Sequence, residues 1–201
     1  MLTVSVAICA AVAAGIAAFI SCPVHPEAIT TPFGDYSSAF DPKEVRGPHY
    51  LRQTVHFDSK GTKCHAWLYT PTKHDSSRIP VVIMGHGLGA QKDMGLQAYA
   101  EKFVSMGLAA LLIDYRNFGG SEGTPRNLIN PFRHVEDWRS AIQFVTSGGL
   151  SSIAPNVDSS RLGLWGSSMA GGHVLVAAAA EAEAQVMLVV AEVAEARPEA
   201  V

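Results

Sequence analysis

Ser168 is the residue of this sequence whose neighbours best suit a catalytic nucleophile. The stretch from Leu164 to His173 reads Leu-Trp-Gly-Ser-Ser-Met-Ala-Gly-Gly-His, so Ser168 is the centre of a Gly-x-Ser-x-Ala pattern. A sharp strand-to-helix turn needs small residues two positions either side of the serine, and the following helix N-terminus stabilises negative charge. Gly-x-Ser triplets also end at Ser121 and Ser151, but only Ser168 follows an apolar run and precedes a helical pattern. The pattern predicts a nucleophilic serine, and the alternative is a tight turn without catalysis.

A second loop of small residues follows another apolar run, where Gly85 to Ala90 read Gly-His-Gly-Leu-Gly-Ala. A glycine-rich loop at a strand end can direct a backbone N–H at the negatively charged oxygen of a reacting carbonyl. The N–H of Leu88 is the first predicted donor, and the N–H of Met169, next to the serine, is the second. His86 could act as a general base, but we favour a role in bracing the loop.

Alternating strand and helix patterns would bring these two loops to one edge of a sheet. Apolar runs predict six strands, at Gln53–Phe57, Lys63–Thr70, Pro80–Met84, Leu108–Tyr115, Arg161–Trp165 and Gln185–Val193. Helical spacing and end signals predict three helices, from Leu96 to a stop at Gly107, from Asn130 to about Ser147, and from Gly172 to Ala184. This alternation predicts an α/β fold, a mainly parallel sheet with helices on both faces. Such sheets bind ligands at the carboxyl ends of their strands.

The composition of the 201 residues fits a globular domain and excludes several classes of function. Hydrophobic residues make up 48% and charged residues 16%, which rules out a disordered chain and a multispan membrane protein. The 15 Lys and Arg against 18 Asp and Glu form no basic stripe, so nucleic-acid binding is not expected. The three cysteines, Cys9, Cys22 and Cys64, form neither a disulfide framework nor a zinc-site spacing. No metal or organic cofactor is predicted.

The sequence divides into three predicted segments. Residues 1–21 are mostly apolar and carry no charged side chain, which predicts a secretory signal peptide. An uncleaved membrane anchor and a misplaced start codon before a cytosolic domain are the alternatives. Residues 22–50 are rich in proline and predict a linker, and residues 51–201 form the domain itself. We therefore expect a secreted or membrane-anchored protein of the secretory pathway.

Four segments, in this order along the chain, resemble the α/β-hydrolase superfamily: GHGLGAQKD, IDYRNFGGSEG, PFRHVEDWRSAI and LWGSSMAGGHVL. The similarity covers about Leu51 to Val193, and it points to the serine-aminopeptidase-like, X-Pro-dipeptidyl-peptidase-like and dienelactone-hydrolase-like members. The resemblance implies a serine hydrolase that cleaves an ester, thioester or amide bond of a small-molecule or peptide substrate through an acyl-enzyme. It also implies that Ser168 is the nucleophile and that Leu88 and Met169 hold the oxyanion-hole positions.

The sequence departs from this superfamily in two places. Asn117 stands where the loop from Asp114 to Gly119 commonly has a glycine, which bears on the shape of the loop. In the superfamily an acid and then a histidine follow the nucleophile, whereas the only histidine after Ser168 is His173, on the same predicted helix. The carboxylates that follow are expected to be structural or solvated: Glu181, Glu183, Glu192, Glu195 and Glu199.

These departures predict a hydrolase domain that is incomplete after about its sixth strand and lacks the acid and the histidine of the triad. We expect the chain as given to be inactive, since a neutral serine without a base is a weak nucleophile. The alternative is a non-catalytic hydrolase-like protein that binds a ligand or a partner.

Overall fold

The computed structural model describes residues 41–73, 78–181 and 186–192. Within these ranges the chain forms seven strands and three helices. In chain order they are β1 (Glu44–Arg46), β2 (Tyr50–Ser59), β3 (Thr62–Pro71), β4 (Ile79–Gly85), α1 (Leu96–Ser105), β5 (Ala109–Ile113), α2 (Pro131–Thr146), β6 (Val157–Ser167), α3 (Met169–Ala180) and β7 (Val186–Glu192). Every predicted strand and helix is present, so the α/β fold class is confirmed.

The strands form one mixed sheet in the order β1-β2-β3-β5-β4-β6-β7. Its parallel half consists of β5, β4, β6 and β7 and matches the predicted parallel sheet. Its antiparallel half comes from β1, β2 and β3, which pair with their neighbours in antiparallel fashion. The hairpin between β2 and β3 turns at Lys60 and Gly61, whose φ angles of 53° and 79° suit a two-residue hairpin turn.

The two crossovers that follow β4 run across the sheet in opposite directions. The chain crosses from β4 through α1 to β5 on one side, and then from β5 through α2 past β4 to β6 on the other. Right-handed crossovers in opposite directions place their helices on opposite faces of the sheet. The loops after β4 and β6 therefore flank the crevice in which open α/β sheets bind ligands.

Two hydrophobic layers confirm that helices cover both faces. On one face, Leu96, Ala100 and Val104 of α1 pack with Met84 and Trp165. On the other face, α2 and α3 pack on the sheet through a larger set of buried side chains: Trp138, Ile142, Val145, Val174 and Ala177 against Val81, Ile83, Leu111 and Leu164. Burying each large apolar side chain stabilises the fold by about 1.5–3 kcal/mol.

One strand was not predicted, and several elements begin earlier than predicted. β1 lies inside the segment 22–50 that was predicted as a linker, and it pairs with β2 through Val45 and Arg52. A strand of three residues is too short to show an alternating pattern in the sequence. α3 begins at Met169 rather than at Gly172, because the turn at Ser168 leads directly into the helix.

The N-terminal segment lies outside the described ranges, as do Glu183, Glu195 and Glu199. The signal peptide or anchor expected at residues 1–21 therefore stays a prediction, and so does most of the linker. In the described part of the chain, no helix is both long enough and apolar enough to cross a bilayer.

Candidate active site

Ser168 lies in the turn that joins β6 to α3. Ser167 is the last residue of the strand and Met169 is the first residue of the helix. The backbone of Ser168 has a φ of 54° and a ψ of −121°, a conformation that a non-glycine residue adopts at a cost of about 1–3 kcal/mol. The side chain is exposed at the carboxyl end of the strand. The turn thus presents a hydroxyl to solvent at the edge of the sheet.

Close packing explains the small residues around this serine. A Cβ at Gly166 would lie 2.4 Å from the carbonyl oxygen of Ala170, so strand and helix backbones could not approach as they do. A Cβ at Gly87, in the loop after β4, would lie 3.1 Å from the Cβ of Ser168. The two glycine-containing loops that the sequence singled out are therefore in contact at this edge.

The two predicted oxyanion donors lie on these loops. Leu88 follows Gly87, which contacts Ser168, and its side chain is exposed. Met169 begins α3, where the first N–H groups of a helix have no acceptor within the helix. The structure brings both residues to the edge that carries Ser168, and their roles as donors stay predictions.

His86 is buried in a position that suits a brace for the loop. Its Nδ1 lies 3.1 Å from the carbonyl oxygen of Gly87, and its Nε2 lies 3.9 Å from Oδ1 of Asp114. Burial lowers the pKa of His86, so the ring is neutral at pH 7. A carbonyl oxygen can only accept, so Nδ1 holds the proton and donates it to Gly87. Nδ1 is thus engaged by the loop, whereas Nε2 has no hydrogen-bond partner among the described residues.

Tyr115 and Trp138 support the loop after β4, and the sequence predicted neither of them. The Tyr115 hydroxyl donates to the carbonyl oxygen of His86 at 3.2 Å and accepts from Nε1 of Trp138 at 3.1 Å. A Cβ at Gly85 would lie 2.4 Å from the Trp138 ring, so glycine is needed there to admit the two aromatic rings. The only signal in the sequence was the apolar face of α2 that carries Trp138.

Two further histidines pack around Tyr115 in the core. The ring of His134 stacks on Tyr115 at a centroid distance of 4.3 Å, and the ring of His173 lies 5.3 Å from that of His134. Burial lowers the pKa of His134 to about 4 and also lowers the pKa of His173. His173, the histidine that follows Ser168 in the sequence, is therefore a neutral core residue.

The buried imidazole of His134 makes stability depend on pH. In the unfolded chain the ring titrates near its ordinary pKa of 6.5, whereas in the folded chain its pKa is about 4. Below about pH 6.5 the unfolded state binds the proton first. We expect the free energy of unfolding contributed by neutral His134 to be complete above that pH and to decline toward about pH 4.

Urea unfolding at about pH 7 and about pH 5 checks this expectation. His134→Phe keeps a ring against Tyr115 and removes the titrating group, so its free energy of unfolding should fall less between the two pH values than that of the parent. An equal loss in parent and variant would contradict the assignment.

A buried ion pair holds the loop after β5. The Asp114 carboxylate accepts from Nζ of Lys92 at 2.5 Å, from the backbone N–H of Lys92 at 2.9 Å and from that of Gly120 at 3.0 Å. Both charged side chains are buried, and Nζ of Lys92 also lies 4.4 Å from the centre of the Trp67 ring. Asp114 thereby ties the loop after β4 to the loop after β5.

A second buried ion pair ties the loop after β5 to α2. The guanidinium of Arg116 donates to the Asp137 carboxylate and, at 2.7 Å, to Glu136. Asp137 also accepts from the Ser59 hydroxyl at 2.6 Å. Burial raises the pKa of Asp137, and the bonds from Ser59 and Arg116 act against that shift.

Asn117 replaces the expected glycine without disturbing the loop. Its φ of 75° lies in the left-handed region, which asparagine tolerates better than most residues. Its side-chain Nδ2 donates to the carbonyl oxygen of Pro125 at 2.7 Å. Asn117 therefore adopts a left-handed backbone conformation and bonds to Pro125 within the same loop.

The described side chains form no group of three or more His, Cys, Asp or Glu residues that could hold a metal ion. Cys64 is buried, and its thiol has a pKa far above the ordinary value because of that burial. The exposed edge offers the Ser168 hydroxyl and backbone N–H groups of the two loops, which suit attack on a carbonyl.

Sequence comparison matches most of the chain to known proteins. A family model described as X-Pro dipeptidyl-peptidase (S15 family) matches residues 60–198. The chain is 47% identical over 125 residues to the quorum-quenching protein AidA of Acinetobacter baumannii, covering 62% of this chain and 38% of that protein. It is 33% identical over 117 residues to the thiohydrolase aneE of Aspergillus aculeatus, covering 58% of this chain and 35% of that protein.

Solved structures show the same fold. The hypothetical protein PA2218 from Pseudomonas aeruginosa matches with a TM-score of 0.66 and 28% identity, over 78% of this chain and 47% of that one. The α/β hydrolase GrgF from Penicillium sp. sh18 matches with a TM-score of 0.59 and 30% identity, over 70% of this chain and 45% of that one. The chain spans less than half the length of each of these four proteins.

Proposed function

We propose that this chain, which belongs to the X-Pro dipeptidyl-peptidase (S15) family of α/β hydrolases, carries the nucleophile of a serine hydrolase. The Ser168 oxygen forms a bond to the carbonyl carbon of an ester, thioester or amide, and the carbonyl oxygen takes the electron pair. The leaving alcohol, thiol or amine departs with the proton that Ser168 loses. Water then releases the acid and restores the serine. The N–H groups of Leu88 and Met169 stabilise the negatively charged oxygen in each step.

The observation that carries this proposal is the backbone of Ser168. A strained, positive φ at an exposed serine persists only where the surrounding structure enforces it, and such strain is concentrated at functional sites. A turn without catalysis would relieve the strain with glycine at no loss of packing. The relative named as a thiohydrolase supports including thioesters among the bonds cleaved.

The proposal extends to the missing base. His86 donates to Gly87 and His173 is buried against Tyr115 and His134. Neither histidine is hydrogen-bonded to Ser168 in the described part of the chain. Without a base, the oxyanion hole alone leaves about 10³–10⁴-fold rate enhancement over water. We therefore propose that the 201-residue chain turns over simple esters little faster than a Ser168→Ala variant. It reacts slowly and once with an activated phosphonate, because the fluoride of that reagent leaves without help from an acid.

The buried positions of these histidines also favour a second candidate, a hydrolase-like protein that binds without catalysis. Labelling with a fluorophosphonate separates the two. A phosphonyl adduct on the peptide that contains Ser168 is expected in the parent and in Ser167→Ala, the matched neighbour, and it should be missing from Ser168→Ala. An unlabelled parent, or equal labelling of Ser168→Ala, would favour the non-catalytic candidate.

A further inference from the structure

We propose that the site accepts an uncharged, apolar acyl group, which lies on an apolar rim formed by Leu88, Met94, Ile129 and Phe132. This inference rests on the proposed role of Ser168 as the nucleophile. It adds the class of substrate, which the family and the geometry of the turn leave open.

The topology of the sheet places the apolar rim beside Ser168. Because β4, β5 and β6 run parallel, their carboxyl ends lie at one edge of the sheet. Leu88 and Met94 belong to the loop that leaves β4 at this edge. Ile129 precedes α2 and Phe132 lies in its first turn, at the end of the loop that leaves β5.

The side chains of the apolar rim are unusually open to solvent. Leu88 is 62% exposed, Met94 66%, Ile129 47% and Phe132 85%. Eight large hydrophobic side chains are exposed among the described residues, and half of them belong to this edge. Several exposed apolar residues at the edge that carries a reactive group are typical of a ligand surface.

The two buried charged side chains of the loop after β5 are already engaged within the protein. Asp114 is paired with Lys92, and Arg116 is paired with Asp137 and Glu136. Each of these ions would have to give up a buried partner to meet a charged substrate, which is costly. An acyl group with a terminal ammonium, such as a dipeptide carries, would gain nothing from these groups. A hydrocarbon chain would instead cover exposed apolar surface.

Chain-length dependence of labelling tests the inference. Methyl and octyl fluorophosphonates differ only in the alkyl group, and with each the serine oxygen bonds to phosphorus while fluoride leaves with the proton as HF. The rate of Ser168 labelling is measured by intact mass below the micelle concentration of the octyl reagent. We expect the octyl reagent to react about tenfold faster or more, since each buried methylene favours binding.

Matched variants assign the effect to the apolar rim. Phe132→Ser should slow the octyl reaction several-fold and leave the methyl reaction unchanged. Met106→Ser removes a side chain that is 64% exposed just after α1, at the opposite edge of the sheet, and should change neither rate.

The outcomes separate the two proposals. A parent that reacts with neither reagent overturns the proposed function itself. Equal rates with methyl and octyl reagents overturn the apolar rim alone, as does an octyl rate that Met106→Ser lowers as much as Phe132→Ser. A surface that a protein segment covers would also give equal rates.

Discussion

Gly166→Ala is expected to destabilise the domain by about 3 kcal/mol or more, the upper end of the cost of an inserted methyl group. The new Cβ would lie 2.4 Å from the carbonyl oxygen of Ala170 and 2.8 Å from the backbone nitrogen of Gly171. Both are backbone atoms, which cannot rotate away as a flexible side chain would. Strand β6 and helix α3 would have to separate, and Ser168 lies between them.

Gly172→Ala is the matched control, because it makes the same change six residues further on, in helix α3. A Cβ at Gly172 meets nothing within 4 Å, and alanine in a helix interior stabilises by about 0.5–1 kcal/mol relative to glycine. Both variants restrict the unfolded chain equally, so the difference between them reports the folded state. Urea unfolding midpoints check this, and a Gly166→Ala midpoint equal to that of Gly172→Ala would refute close packing at the turn.

Asp114→Ala is expected to cost about 3–5 kcal/mol of stability, because it leaves the buried ammonium of Lys92 without its partner. The same change removes the acceptor for the backbone N–H groups of Lys92 and Gly120. The loops after β4 and β5 would keep the bond from Tyr115 to His86 but lose their ionic connection. We therefore expect both weaker folding and slower labelling of Ser168.

Two controls distinguish burial from charge pairing in general. Glu44→Ala breaks the exposed pair with Arg46 and should cost about 0–1 kcal/mol. The double variant Asp114→Ala with Lys92→Met removes the unpaired charge and should recover part of the loss. Chemical unfolding of all variants provides the comparison. A double variant less stable than Asp114→Ala would show that the isolated charge is not the cause.

Local signals in the sequence predicted most of the elements. The Asn130-Pro131 start of α2 appears in the structure as a cap in which the Asn130 side chain accepts from the N–H of Arg133 at 3.2 Å. Helical spacing from Leu96 and the stop at Gly107 likewise correspond to α1. Such signals work because caps and apolar faces involve residues within a few positions of each other.

The side-chain contacts that hold the loops around Ser168 could not be predicted in the same way. These contacts join three elements: α2 carries Trp138, the loop after β5 carries Tyr115, and the loop after β4 carries His86. They exist only once the chain has folded. Nothing near Tyr115 in the sequence shows that three imidazole rings will pack around it. The buried pair of Asp114 and Lys92 was missed for the same reason, since charged residues are usually exposed.

The hairpin of β2 and β3 and the pairing of β4 with β6 differ in how soon they can form. The hairpin closes a two-residue loop at Lys60 and Gly61, so its ends meet at little entropic cost. Leu162 must instead find Val81 across most of the described chain, with β5 and both intervening helices between them. Pairings this distant in sequence are the slow steps of folding. Because the turn that carries Ser168 joins β6 to α3, we expect it to be completed only after this pairing, so that reaction at Ser168 reports a folded chain.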